Sequence, residues 1–315
     1  MKISLNRKSG LNKKVHYNTM ETTELFILTL PAIILLLIFA YWPMFGIIVA
    51  FKRFNPNAGI LGSEWVGLDN FEFFFSSQDA WRVLRNTVLY GIDFQVLGVI
   101  TALFLAIMLY NVRSKAALKY YQTTMILPKF VSMVLVAYIA YAVLNPVSGV
   151  ANKIIEFFGG EGVQWYSEPK YWPVILTIVE VWKTVGMSSI MYYAALMGID
   201  ETLFEAARID GATRWQEIKY IMIPEISSVI CILLILGMGG LISGDFGLFY
   251  QIPMNIGVLY PATDIINTYT FRGLMGATNW GMTSAVGLFQ SVISLILIIG
   301  SNLVVKKIEP ANSLF

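Results

Sequence analysis

Stretches of roughly twenty consecutive apolar residues recur along this chain, and they constrain its fold more than anything else in it. A run of about 20 apolar residues is long enough to cross a bilayer as a helix. Such runs extend from about Glu24 to Phe51, Thr87 to Tyr110, Thr123 to Leu144, Trp172 to Met197, Pro224 to Ser243 and Trp280 to Val305. The expected fold is therefore an all-α membrane protein with six transmembrane helices, Pro43 kinking the outer end of the first. Composition agrees: 57% of residues are hydrophobic and 13% charged, whereas a soluble domain carries about 25% charge.

An even number of crossings puts both termini on one side, and lysine and arginine say which. With the N-terminus inside, the inner segments carry Lys2, Arg7, Lys8, Lys13, Lys14, Arg113, Lys115, Lys119, Arg208, Arg214, Lys219, Lys306 and Lys307. The outer segments, longer in total, carry only Lys52, Arg53, Arg82, Arg85, Lys153, Lys170 and Arg272. Both termini are thus expected in the cytoplasm. Residues 1–23 are polar and basic, and no small-residue cleavage site closes the apolar run behind them, so they are expected to be a cytoplasmic tail before a retained helix. Residues 24–305 are expected to form a single transmembrane domain and residues 306–315 a second cytoplasmic tail. No internal repeat or linker is visible.

Enzymatic readings fail for want of parts. There is no G-x-x-x-x-G-K-[ST] phosphate loop, so this chain is not expected to hydrolyse ATP, and there is no H-E-x-x-H. One cysteine (Cys231) and one histidine (His16) exclude an intramolecular disulfide and the usual Cys/His metal clusters. His16 would have to be the base of any serine nucleophile, yet it sits in the polar tail. The net charge of +2 is too small to suggest a nucleic-acid surface.

Between the fourth and fifth apolar runs lies a polar insertion, Asp200 to Pro224. Its local signals describe a helical hairpin. Asp200 is a good N-cap, with Glu201 adding charge that the helix dipole favours. Gly211 can end that helix in the left-handed conformation, and Thr213 with Gln216 has capping-box spacing for a second helix. Pro224 suits the first turn of the membrane helix that follows. Ala206 and Ala207 leave one face smooth for a close approach.

Glu205-Ala206-Ala207, three residues, Gly211, nine residues, then Ile221-x-Ile223-Pro224 resembles the cytoplasmic EAA loop of ABC-importer permeases, with Ile223 where leucine is usual. The resemblance implies a coupling helix, between spans 4 and 5, that docks on a separate ATP-hydrolysing subunit through Glu205, Ala206, Ala207, Asp210, Gly211, Ile221 and Pro224. The plainer alternative is a cytoplasmic hairpin with no partner. Thr124–Pro128 (TMILP), the outer Gly67–Phe71 and Phe73–Phe75 patterns, and Thr263–Arg272 are similar to permeases for oligosaccharides and polysaccharide fragments within the carbohydrate group. Asp245–Gln251 departs from the Gly-Phe-Asp-Gln run common there. The resemblance implies a second, homologous permease subunit, two copies of a cytoplasmic ABC ATPase that carry the ATP and Mg, and an extracytoplasmic solute-binding protein. It also implies residence in the cell membrane of a prokaryote.

Ionisable groups in hydrocarbon are costly and usually face a bundle interior or a water path. Lys183 lies mid-way along the fourth run, one turn after Glu180 on the same face. The pair reads either as a structural ion pair or, with Trp182, Tyr192 and Tyr193, as part of a substrate pathway. Asp93 and Gln95 in the second run, and Asn279, Trp280 and Gln290 around the sixth, are further pathway candidates. The competing functional class is an ion-coupled carrier or channel that works without an ATPase; it would need positioned membrane carboxylates and commonly shows inverted repeats. A membrane scaffold without transport would show no central polar path.

Overall fold

A computed structural model describes residues 19–276 and 279–308. The chain divides into two units, Met1–Ile48 and Val49–Phe315.

In the first unit, helix α1 (Thr19–Leu36) begins inside the segment expected to be tail. His16 and the basic residues of 1–18 lie outside the described residues. α1 opens into a π turn at Leu37–Tyr41 and a tighter 3-10 stretch at Trp42–Phe51. The widened turn immediately precedes Pro43, whose ring would clash with a carbonyl of the preceding α turn. The expected kink thus takes the form of a change in helix type.

The second unit opens with two short antiparallel strands, β1 (Lys52–Arg53) and β2 (Glu64–Trp65), with Lys52 opposite Trp65. Asn70, buried in α2 (Asp69–Phe75), donates to the carbonyls of Ala50 and Lys52 and pins the pair. Phe74 of α2 is buried, 5.7 Å from the Tyr269 ring. Phe74 therefore belongs to the core, while Trp81 remains exposed.

Helix α3 (Gln78–Tyr110) starts ahead of its apolar run because Ser77 caps it by accepting from the Ala80 amide. It packs along α7 (Trp172–Leu196). Between them in sequence come α4 (Lys115–Phe130), α5 (Met133–Leu144) and α6 (Val150–Phe157). Buried Asn152 of α6 receives the Val163 amide and the Trp165 indole and so orders the loop that follows α6.

The third apolar run departs from expectation. It is not one span helix from Thr123 to Leu144; α4 and α5 meet at 98°. Pro128 in the last turn of α4 removes a helical hydrogen bond. Val131 and Ser132 are extended, and the Ser132 hydroxyl caps α5 by accepting from Leu135.

After α7 come α8 (Glu201–Ile209), α9 (Arg214–Glu217), a π turn (Ile218–Met222) and a short turn at Ile223–Glu225. A 62° bend then leads into α10 (Ser227–Gly240), so the fifth run is also broken rather than continuous from Pro224. Helices α11 (Phe246–Gln251), α12 (Ile266–Met275) and α13 (Trp280–Ile308) complete the unit.

Four helical stretches among the described residues are long and apolar enough to cross a bilayer, or up to six if each bent pair is one span. Lipid tails are as apolar as leucine, so inside a membrane helices are held by close packing at small residues rather than by apolar burial alone. Ala102 and Ala106 of α3 are fully buried beside Tyr192 and Leu196 of α7. At Gly186 the backbones of α7 and α4 approach so closely that an added Cβ would lie 1.7 Å from the Met125 carbonyl oxygen.

Candidate functional site

The polar insertion folds into a rigid elbow. Asp200 caps α8 through the Thr202 amide at 2.9 Å, and that bond holds its carboxyl below the usual aspartate range. Gly211 has a φ of +80°, with its own amide bonded to the Arg208 carbonyl and the Ala212 amide to Ala207. These two bonds form a Schellman closure, which requires the left-handed residue that glycine supplies most cheaply. Thr213 and Gln216 form the reciprocal capping box that starts α9.

Two features of the elbow had no sequence signal of their own. Glu217 is 2% exposed and receives Arg208 Nε and Arg214 Nη1, each at 2.9 Å. Burial pushes its carboxyl up, but the hydrogen bonds and charges of the two arginines outweigh this and hold it below the usual range. Phe204 is buried in a cluster with Ala102, Ala106, Leu196 and Met222, its ring 5.9 Å from that of Tyr110. The base of the elbow is thus plugged into the ends of α3 and α7. Its other face is bare: Glu205, Ala206 and Asp210 are exposed, as are the apolar Ile209 and Trp215. Ala207 and Ile221 are half-buried, and Pro224 is exposed beside the bend.

The pathway candidates separate. Gln95, Glu180 and Tyr192 line one cavity of about 310 Å³ between α3, α7 and α10, together with Thr184, Ser188 and Asp245. Gln95 lies across Gly237, where an added Cβ would meet its Oε1 at 2.1 Å. Glu180 Oε2 is buried without a hydrogen-bond partner among the described residues. Lys183 does not line this cavity. Its Nζ donates to the carbonyls of Val131 and Pro128 at the α4–α5 break. A lysine there satisfies the orphan carbonyls that any helix end leaves, so Lys183 is engaged by backbone rather than paired to Glu180.

The other candidates lie elsewhere. Trp182 faces an apolar groove with Val136, Ile139 and Val143. Asp93 accepts from Thr177 and faces a separate groove that also holds Arg85 and Lys170. Tyr193 packs into the cluster at the base of the elbow. Asn279 caps α13 by accepting from the Met282 amide, and Trp280 lies 6.1 Å from Phe54. Gln290 donates to the Ile242 carbonyl and to Asn267. No cluster of His, Cys, Asp or Glu suited to a metal occurs among the described residues.

Residues 96–310 match the family model described as the binding-protein-dependent transport system inner membrane component. The chain is 35% identical to Protein LplB of Bacillus subtilis (strain 168), over 90% of this chain and 89% of that one. It is 33% identical to the polygalacturonan/rhamnogalacturonan transport system permease protein YteP of the same organism, over 95% and 93%. Among solved structures it resembles a chain of a bacterial ABC transporter that imports the acidic polysaccharide alginate. The TM-score is 0.84 at 33% identity, over 92% of this chain and 97% of that one. A second structure of an alginate ABC transporter, in complex with an alginate pentasaccharide-bound periplasmic protein, matches with a TM-score of 0.83. Fold, length and sequence agree, and the chain belongs to the family of binding-protein-dependent transport system inner membrane components.

Proposed function

We propose that this chain is one of two permease subunits of an ATP-driven, binding-protein-dependent importer for oligosaccharides or polysaccharide fragments. It forms half of the translocation pathway. In this reading each bent helix pair is one span, giving six, with both termini and the elbow in the cytoplasm of a prokaryotic cell. Residues 24–305 are then the transmembrane domain, and 306–315 the C-terminal tail, of which 309–315 lie outside the described residues. A homologous permease, two copies of a cytoplasmic ABC ATPase and an extracytoplasmic solute-binding protein complete the assembly. ATP and Mg belong to the ATPase, and the chain itself is not an enzyme.

The observation that carries this reading is the elbow. Its exposed face presents Glu205, Ala206, Asp210, Ile209 and Trp215, while Phe204 seats its other side in the bundle. A hairpin so built is suited to receive a push and pass it on. Coupling demands that the ATPase grip the elbow differently in its two states, because a contact equal in both shifts nothing. Glu205→Lys and Gly211→Pro are expected to abolish uptake while the protein still inserts and pairs with its partner. Normal uptake by both variants would remove the coupling role.

The ion-coupled alternative draws on one observation, the unpartnered Glu180 oxygen in the internal cavity. Sugar uptake by vesicles that contain the permeases but no ATPase would favour it; uptake that needs ATPase and ATP sets it aside.

A further inference from the structure

Helix α7 carries an exposed ridge of Val174, Ile178 and Trp182, each about one turn from the next. A groove runs along each side of this ridge, and Ile178 lines both. The groove toward α3, about 810 Å³, has Leu89 and Leu97 in its apolar wall, with Arg85 and Lys170 beside them. The groove toward α5, about 350 Å³, is walled by Ile139, Val143 and other apolar side chains.

The two cations share one end of the first groove. Asp93 of α3 accepts from the Thr177 hydroxyl of α7, and Ala102 and Ala106 meet Tyr192 and Leu196 further along, so the helices run parallel. At roughly 1.5 Å per residue, Arg85 stands about 12 Å from Asp93 along α3, and Lys170 about 11 Å from Thr177 along the chain leading into α7. Arg85 Nη2 donates to Asn86 Oδ1 at 3.0 Å. Buried Asn86 is itself tied by its amide to the carbonyls of Pro261 and Asp264. The guanidinium is thus held in place, and no carboxylate pairs with it among the described residues. Lys170 is paired with Glu168 at 2.6 Å, so the mouth of the groove presents one uncompensated positive charge, that of Arg85.

We propose that the two grooves hold one diacyl phospholipid astride the α7 ridge, with its phosphodiester on Arg85 and one acyl chain in each groove. A guanidinium offers forked donors that a pair of phosphate oxygens accepts. From Lys170 to Trp182 the chain advances about 18 Å, close to the ~15 Å depth of one leaflet's hydrocarbon, so the grooves end where an acyl chain ends. Tyr171, with the Lys170 ammonium 4.7 Å from its ring centroid, suits the headgroup boundary. Asp93 in the groove wall is engaged by Thr177 and lies too far from Arg85 to cancel its charge by contact. In the orientation read above, the lipid belongs to the outer leaflet. The inference rests on α3 and α7 being spans of a bilayer, as in the importer reading, and not on the sugar carried.

The test uses the assembled importer, purified in detergent and followed by native mass spectrometry. It is titrated with phosphatidylglycerol, or with the diacylglycerol that lacks its phosphate. The wild type is expected to hold phosphatidylglycerol about tenfold more tightly than diacylglycerol. Arg85→Ala is expected to remove that preference, and Arg85→Lys to weaken it about threefold, since an ammonium keeps the charge but not the fork. Phosphatidylglycerol with a diazirine on one acyl chain is expected to label residues 174–182 in the wild type and much less in Arg85→Ala. An unchanged preference in Arg85→Ala, or equal retention of diacylglycerol by the wild type, overturns the phosphate site. Labelling that misses residues 174–182 also overturns it and assigns the ridge to contact with the second permease. Sugar uptake is measured separately on the same preparations. An importer that transports but fails the lipid tests loses this inference alone, and one that passes them but moves no sugar loses the importer reading alone.

Discussion

Arg208 Nε lies 2.9 Å from Glu217 Oε1 across the Gly211 turn, joining the helix that bears Glu205 to the one that leads back to the bundle. Arg214 closes the same carboxylate from the other side. Glu217→Gln removes the charge that both arginines share. The arginines are more than half exposed and can be hydrated, so the expected cost is about 1 kcal/mol rather than the several expected of a fully buried pair. Limited proteolysis of the elbow should quicken in the variant, and uptake should fall with it.

The same carboxylate sets a pH dependence. Its folded-state affinity for a proton is lowered, so the elbow's stabilisation is fully present above the ordinary glutamate range. That stabilisation declines as pH falls through the lowered folded value. Proteolytic protection of the wild-type elbow should therefore be flat around neutrality and decline in acid, and Glu217→Gln should show a flatter profile. An identical acid profile in both proteins would remove Glu217 as the cause.

Among the described glycines, Gly186→Ala should add the most damaging methyl. Its Cβ would sit 1.7 Å from the Met125 carbonyl, and backbone on both sides leaves nothing soft to move. Overpacking of this kind costs about 1–3 kcal/mol or more. Gly287→Ala meets nothing within 4 Å and should be neutral or gain up to about 1 kcal/mol from helix propensity. Thermal unfolding of the two variants in detergent gives the comparison.

Lys183→Met strips a donor from the carbonyls of Pro128 and Val131 and is expected to cost about 1–3 kcal/mol. Were Lys183 the ion partner of Glu180, neutralising both would restore stability. Its bonds run to backbone instead, so adding Glu180→Gln should not rescue Lys183→Met. Rescue in a double-mutant cycle would reinstate the pair.

Asp264 is fully buried, with Arg272 at 2.6 Å, Arg82 at 3.4 Å and the Thr268 hydroxyl at 2.8 Å. Asp264→Asn keeps the shape and loses the charge. Breaking one member of a buried cluster costs about 3–5 kcal/mol, and the segment from Tyr260 to Met275 should lose amide-exchange protection first.

What the sequence made legible was local. Asp200, Gly211, Thr213 and Gln216 each act within a few residues, and the hairpin they spell is present bond for bond. The apolar runs were legible too, because periodicity does not enter into their length. What escaped was tertiary. Pro128 was visible, but the carbonyls exposed at the 98° break are met by a donor more than fifty positions away, Lys183. Glu180 and Lys183 share a helix face at one-turn spacing, which suggested a pair; only the fold reveals that each turns to a different neighbour.

Phe204 sits 3% exposed among the tightly fitted side chains at the feet of α3 and α7. Dense interiors yield little under load, so the seat cannot absorb a displacement of α8 as a cushion would. In the proposed importer, motion imposed on the outer face would arrive at the two long helices almost undiminished, and the stiffness of one benzyl socket would set the transmission ratio of the whole machine.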